Sequence, residues 1–338
     1  MKAVVYQRPN ELEVVDLPRP KAGAGEVVLK VHACGICGSD LHAVQHGFGL
    51  RPGSVMGHEF CGEIVELGPG VSGYAEGERV TSLPYIGCGT CEFCRKGQGI
   101  HCENIRGLGL GQLPGAYAEY VMCGARSLFK LPAGVDSRLG AMVEPLSVGL
   151  HGVKRAGLGR GASCVVMGAG PIGLATLVWC KARGASTILV SELAAGRAEL
   201  ARRLGATEVV NPTAKDPAER MRELTGRAPD LVFECIGVRS TLEAAIHMVS
   251  TLGRVVVLGV CMEPDQITPV SCIFKELSLD FVLGYNDADF QETIDALAAG
   301  AIDPRPMVTD VIGVEQVPEM FEALRKPGNR AKVIVEFP

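Results

Sequence analysis

No block of basic residues occurs anywhere in this sequence. The net charge is −5 and the isoelectric point near 5.9. That balance argues against nucleic acid or an anionic membrane as the main partner. The opening stretch MKAVVYQRPNELEVVD lacks the apolar core that a signal peptide needs. One uncharged run, Ala162 to Cys180, approaches membrane-spanning length, but it holds three glycines and a proline near its middle. A buried strand, turn and helix account for it better. Internal repeats and low-complexity tracts are also missing, and aromatic residues make up only 5%. These absences lead us to expect a soluble, cytoplasmic protein.

Cysteine is plentiful by contrast. Thirteen cysteines is an odd number, and without a secretory signal it points to metal ligands and buried thiols, not to a disulfide framework. The 43 glycines suggest many short elements. At 338 residues the chain is long enough for about two domains.

The two halves have different rhythms. From Met1 to about Ala141, short strands such as EVVLKVHAC, FCGEIVELG and ERVTSL are punctuated by Gly and Pro, as in a β-rich, barrel-like domain. From about Ser163, strands alternate with helices: CVVMG, PIGLATLVWCKARG, STILVSE, RAELARRLG and onward to LDFVLGY. Six strands can be counted, as a doubly wound parallel sheet requires. After Tyr285 come two helices and a strand, AKVIVEF, which we expect to rejoin the first domain. The fold class is therefore α/β, with residues 1–147, 148–285 and 286–338 as catalytic domain, sheet domain and return.

VVMGAGPIG places Gly168, Gly170 and Gly173 in G-x-G-x-x-G spacing after a strand and at the start of a helix. The first glycine permits a tight turn, and the second lets backbone approach a pyrophosphate. The third packs the helix close to the sheet. With Pro171 and Ile172 these residues form the expected cofactor turn, which the helix N-terminus completes. Glu192 ends the next strand, where a carboxylate accepts ribose hydroxyls and repels a 2′-phosphate, so NAD is expected in preference to NADP. Arg197 lies close enough in sequence to blur that choice.

Two groups of residues suit metals. Cys88, Cys91, Cys94 and Cys102, in a lobe over about 86–104, are spaced C-x2-C-x2-C-x7-C. Four thiolates from one compact lobe suit a closed tetrahedral zinc site. The same spacing also suits an iron–sulfur cluster, but the β-rich surroundings favour structural zinc. The second group is dispersed: Cys34, Cys37, Ser39, Asp40 and His42 in CGICGSDLH, then His58 and Glu59 in GHEFCGEI. Finally, Glu144 heads the apolar stretch VEPLSVGLHG. A buried Glu is rare unless paired, protonated or metal-bound. Pro145 would bias it toward extended backbone.

CGICGSDLH, GHEFCGEI, the four-cysteine lobe, EPLSVGLHG and GAGPIG occur in that order, and with them the chain resembles the zinc-dependent medium-chain alcohol dehydrogenase family over essentially its full length. The resemblance implies a chaperonin-10-like catalytic domain, a Rossmann domain, two zinc ions per chain (one catalytic, one structural) and a homodimer or homotetramer. It makes Cys37 and His58 ligands of the catalytic zinc, and gives Cys34 no such role. Glu144 becomes the third ligand, as in the sorbitol, butanediol and threonine dehydrogenase branch. Glu59 is counted with the metal contacts, and Asp40 steadies the site. Zinc would polarise the alcohol and the nicotinamide would accept hydride. Ser39 would pass the proton through ribose hydroxyls toward His42 at the surface. Lys332 would contact the pyrophosphate in place of a basic residue absent at Gly38, unless it is a solvated edge-strand lysine.

The resemblance leaves the substrate open. Sorbitol dehydrogenases contact the polyol with an arginine–tyrosine pair. Here Gly284 stands in the arginine's place and Tyr285 is retained, which we group with the cofactor-binding residues. Phe48, Leu50 and Val55 suggest no particular substrate. We expect a secondary alcohol or diol and its ketone, with a polyol or L-threonine as the alternative. Two other classes compete: a non-catalytic zinc- and NAD-binding protein, and a thiol-redox or metal-sensing protein built on the cysteine lobe.

Overall fold

The computed structural model describes every residue except Phe48 and Pro327, so the Phe48 expectation lies outside the described residues. Among the described residues no helix is long and apolar enough to cross a membrane.

The first half is β-rich, as its rhythm suggested. Its main sheet runs in the order Leu128–Lys130, Arg79–Ser82, Glu59–Leu67, Glu26–Gly35, Lys332–Glu336, Val308–Gly313, with Tyr120–Gly124 also paired to Glu26–Gly35. The closing strand Lys332–Glu336 does return to the first half: Ile334 pairs with Gly35 and Val335 with Cys34. It is not an edge strand, because Val308–Gly313 covers its other side in parallel register.

The second half is a six-stranded parallel sheet. In sheet order its strands are Glu208–Val210, Thr187–Ser191, Ser163–Met167, Leu231–Glu234, Arg254–Val257 and Ser278–Phe281. In chain order this is 3-2-1-4-5-6, the doubly wound arrangement whose crevice lies at the carboxyl ends of the central strands. Ser163–Met167 and Leu231–Glu234 are buried along their whole length, as strands covered by helices on both faces should be.

Two departures from the sequence reading concern helices. CGSDLH opens a helix, Gly38–His46, which an all-strand reading of the first half misses. More consequentially, Glu144 does not lie in extended backbone. It sits inside a 19-residue helix, Ser137–Arg155, with Pro145 also inside. Asp136 caps that helix by accepting from the Leu139 N–H at 2.9 Å. Pro145 has no N–H to donate to the Ala141 carbonyl, and two residues on the Ser147 hydroxyl donates to the Val143 carbonyl at 2.7 Å. The expected boundary between residues 147 and 148 therefore falls inside one continuous helix, which packs against both halves. It touches the Glu59–Leu67 strand on one side and the helices Pro171–Ala182 and Asp287–Ala298 on the other.

Candidate active site

Cys37 is the N-cap of the Gly38–His46 helix, and its backbone N–H donates to Asp40 Oδ2 at 3.0 Å. Asp40 is fully buried. The same oxygen accepts from the Tyr117 hydroxyl at 2.6 Å, while Oδ1 lies 3.2 Å from His58 Nδ1. That turns His58 Nε2 the other way, 3.5 Å from Ser39 Oγ. The preceding residue, Gly57, has φ +93, and a Cβ there would come within 2.8 Å of the Tyr117 backbone nitrogen. Only glycine brings His58 to this place.

Glu59 opens the next strand opposite Gly35, where a Cβ would lie 2.1 Å from Glu59 Oε2. Its carboxylate is fully buried and paired with Lys332, whose Nζ donates to Oε2 at 2.6 Å, to Oε1 at 2.8 Å and to the Ile36 carbonyl at 3.0 Å. Three donors meet three acceptors. This corrects both readings of Lys332: it is neither solvated nor left with a donor for a pyrophosphate.

The ligand atoms of Cys37, His58 and Glu59 lie within 4.8 Å of one another. Glu144 is outside that close trio but shares its electrostatics. Burial pushes its carboxyl up to about 7, with Glu59 adding to the rise, while His58, Tyr285 and Lys332 pull it down. Burial alone would lower His58, yet the charges of Asp40 and Cys37 overcome it and hold the imidazole well above its usual range. Both shifts favour the more positive form of the group, which fits a site built around a cation. Tyr285, fully buried, faces Glu144 without closing a hydrogen bond of ordinary geometry.

Cys88, Cys91, Cys94 and Cys102 also converge within 4.8 Å. Backbone N–H groups of Cys91, Cys94 and Cys88 donate to the sulfurs of Cys88, Cys91 and Cys102 at 3.3, 3.4 and 3.3 Å. The Thr90 N–H and hydroxyl, followed by the Cys91 N–H, hold the Cys88 thiol down at about 5, whereas burial and the neighbouring thiols push Cys94 up to about 12. Four thiols this close need a cation to ionise together, so the donor set fits zinc.

At the glycine turn, Gly168 has φ +88, and a Cβ on Gly173 would lie 1.9 Å from the Gly168 carbonyl oxygen. A Cβ on Gly170, the N-cap of the Pro171–Ala182 helix, would meet nothing within 4 Å, so this backbone is open to a ligand. Ile172 is half-buried in the first turn. Glu192 folds back on the turn, Oε2 accepting from the Ala169 N–H and Oε1 from the Ala194 N–H, each at 2.7 Å. Arg197 reaches across to the other half, donating to the Arg330 carbonyl at 2.7 Å. His42 is exposed on the helix that begins at Gly38, its ring stacked 6.4 Å from that of His46.

Sequence reasoning missed the Glu59–Lys332 pair and Tyr117. A lysine facing the core in a valine-rich strand was a signal for the first, but Tyr117 lies in a bend before the Tyr120–Gly124 strand with nothing in the sequence to mark it.

Comparison with known proteins agrees with the geometry. Residues 23–133 match the family described as alcohol dehydrogenase GroES-like domain, and residues 171–299 match zinc-binding dehydrogenase. The sorbitol dehydrogenase of Gallus gallus is 33% identical over 99% of this chain and 96% of its own. A solved structure of 2R,3R-butanediol dehydrogenase from Bacillus subtilis has TM-score 0.91 and 33% identity, covering 100% of this chain and 99% of that one. A Sinorhizobium meliloti 1021 protein solved bound to NADP has TM-score 0.92 and 34% identity, with 99% of both chains covered.

Proposed function

The chain belongs to the zinc-dependent medium-chain alcohol dehydrogenase family, and from that premise we propose that it interconverts a secondary alcohol or diol and its ketone, using NAD(H). The observation that carries this reading is the buried convergence of Cys37, His58 and Glu59, with the Glu144 carboxyl close enough to share their electrostatics. When bound, zinc supplies a Lewis acid for the substrate oxygen and NAD a hydride acceptor.

Charge decides which carboxylate serves the metal. Lys332 already neutralises Glu59, so Glu144 is left as the third ligand beside the Cys37 thiolate and neutral His58. Asp40 Oδ1, 3.2 Å from His58 Nδ1, orients the imidazole by its charge and leaves Nε2 for the metal. Ser39 carries the proton away toward His42. Cys88, Cys91, Cys94 and Cys102 hold the second, structural zinc. Gly168, Gly170, Pro171, Ile172 and Gly173 receive the pyrophosphate, and Glu192, pinned by two backbone N–H groups, favours NAD over NADP.

A small secondary alcohol or diol is preferred to a polyol because Gly284 leaves no arginine beside Tyr285. A Cβ on Gly284 would lie 2.4 Å from Ile100 Cδ1, so the cysteine lobe fills that space. A homodimer or homotetramer in the cytoplasm is the assembly we favour. Ser278–Phe281 ends the sheet, and near it Ile273, Phe274, Phe281 and Leu283 are exposed.

The test is a panel of primary alcohols, secondary alcohols, diols, polyols and threonine, assayed with NAD and NADP separately by NAD(P)H absorbance. Turnover of secondary alcohols or diols with NAD is expected. Activity confined to polyols or threonine would overturn the substrate reading.

A further inference from the structure

The Asp287–Ala298 helix starts with a capping box: Asn286 accepts from the Asp289 N–H at 2.8 Å, and Asp289 Oδ2 accepts from the Asn286 N–H at 3.3 Å. Asp289 does more than a cap requires. It is fully buried, and its carboxylate also meets His151 Nδ1 at 2.7 Å and Lys154 Nζ at 2.7 Å. Both partners lie on the last turns of the Ser137–Arg155 helix. Below them the Ser147 and Thr293 hydroxyl oxygens lie 3.1 Å apart, so the two helices also approach closely there.

The same two helices carry the Glu144 side of the metal site. Glu144 and His151 are two helical turns apart and lie on one face. Tyr285 sits just before the capping residue Asn286, packed on Phe290 with ring centroids 5.3 Å apart, and faces Glu144. On its other flank the cysteine lobe holds the segment, because the Asp287 N–H donates to the Gly97 carbonyl at 2.9 Å. The apolar contacts between these helices would hold them together without a buried carboxylate, whose desolvation is costly. What the carboxylate adds is register: it sets where the second helix begins along the first.

We propose that Asp289 is a positioning residue for the catalytic metal, acting through Tyr285 to keep Glu144 aimed at Cys37 and His58. This rests on the reading of Glu144 as the third ligand.

The experiment uses full-length protein and zinc alone. Affinity at the Cys37–His58 site is measured by chelator competition for the parent, Asp289→Asn, Tyr285→Phe and the double variant, with melting temperatures in parallel. Each single substitution should weaken that site about tenfold, as loss of a group supporting a metal ligand does. The double variant should be no weaker than the weaker single, because both act through one chain of contacts. Zinc in the four-cysteine lobe should be unaffected. The drop in melting temperature caused by Asp289→Asn should be the same with and without Tyr285. His151→Gln, which removes one tie at a half-exposed position, should weaken zinc by about two- to threefold and serves if Asp289→Asn does not fold.

Affinity losses that multiply in the double variant, or parent affinity in Asp289→Asn, would overturn the proposal while leaving the dehydrogenase reading intact. A parent that binds zinc only in the lobe would defeat both.

Discussion

Replacing Lys332 by Met should be among the most damaging single changes in the catalytic half. The Lys332–Glu59 pair is 0% exposed on both sides, and all three ammonium donors are used. Methionine fills most of the volume but leaves the Glu59 carboxylate buried without its counter-charge, facing a backbone position where even a Cβ does not fit. Breaking a buried pair from one side costs about 3–5 kcal/mol. For a chain of this size that is a fall of roughly 4–7 °C in melting temperature. Calorimetry at fixed free zinc is the assay, because bound metal adds its own stabilisation. The loss should be larger after zinc is chelated, since a bound cation gives the stranded carboxylate a partner. Adding Glu59→Gln to Lys332→Met should recover at least half of the loss. A single variant losing less than about 1 kcal/mol, or a double variant worse than the single, would refute the argument that charge pairing holds Glu59 in place.

Ser39→Ala should lower turnover by about 10²–10⁴ with zinc content unchanged, read from steady-state rates and metal analysis; an unchanged rate removes Ser39 from the proton path. Gly173→Ala should cost about 2 kcal/mol or more and abolish NADH binding, because its Cβ would sit 1.9 Å from a carbonyl oxygen; NADH fluorescence titration tests it. In zinc-free protein, burial raises Glu144 to about 7, above its unfolded value. The folded state therefore holds the extra proton, and stability should fall as pH rises from about 4.5 to 7. Glu144→Gln should flatten that slope, as measured by urea unfolding across the range.

The features legible in the sequence are those whose chemistry is local. Four cysteines within one short lobe and three glycines around one turn bring their own partners with them, and the strand–helix alternation after Ser163 follows from periodicity. Glu144 was legible as a carboxylate in an apolar stretch but not as a helical residue. Pro145 argues locally against helix, and that preference is outweighed by the Asp136 cap and by burial of the whole central face. Lys332 was misread because its neighbour strand Val308–Gly313 went unforeseen, so a central strand looked like an edge. Its partner Glu59 lies 273 residues away. The Asp289 ties to His151 and Lys154 span 138 and 135 residues. Pairings of that range depend on how the helices and strands pack, which no local pattern encodes.

Zinc stoichiometry in the parent and in Cys37→Ser tests the central claim most directly. The account predicts two zinc ions per chain in the parent and one in Cys37→Ser, with the four-cysteine lobe keeping its ion and NAD-linked alcohol oxidation lost. One zinc in the parent, or two in Cys37→Ser with activity retained, would contradict it.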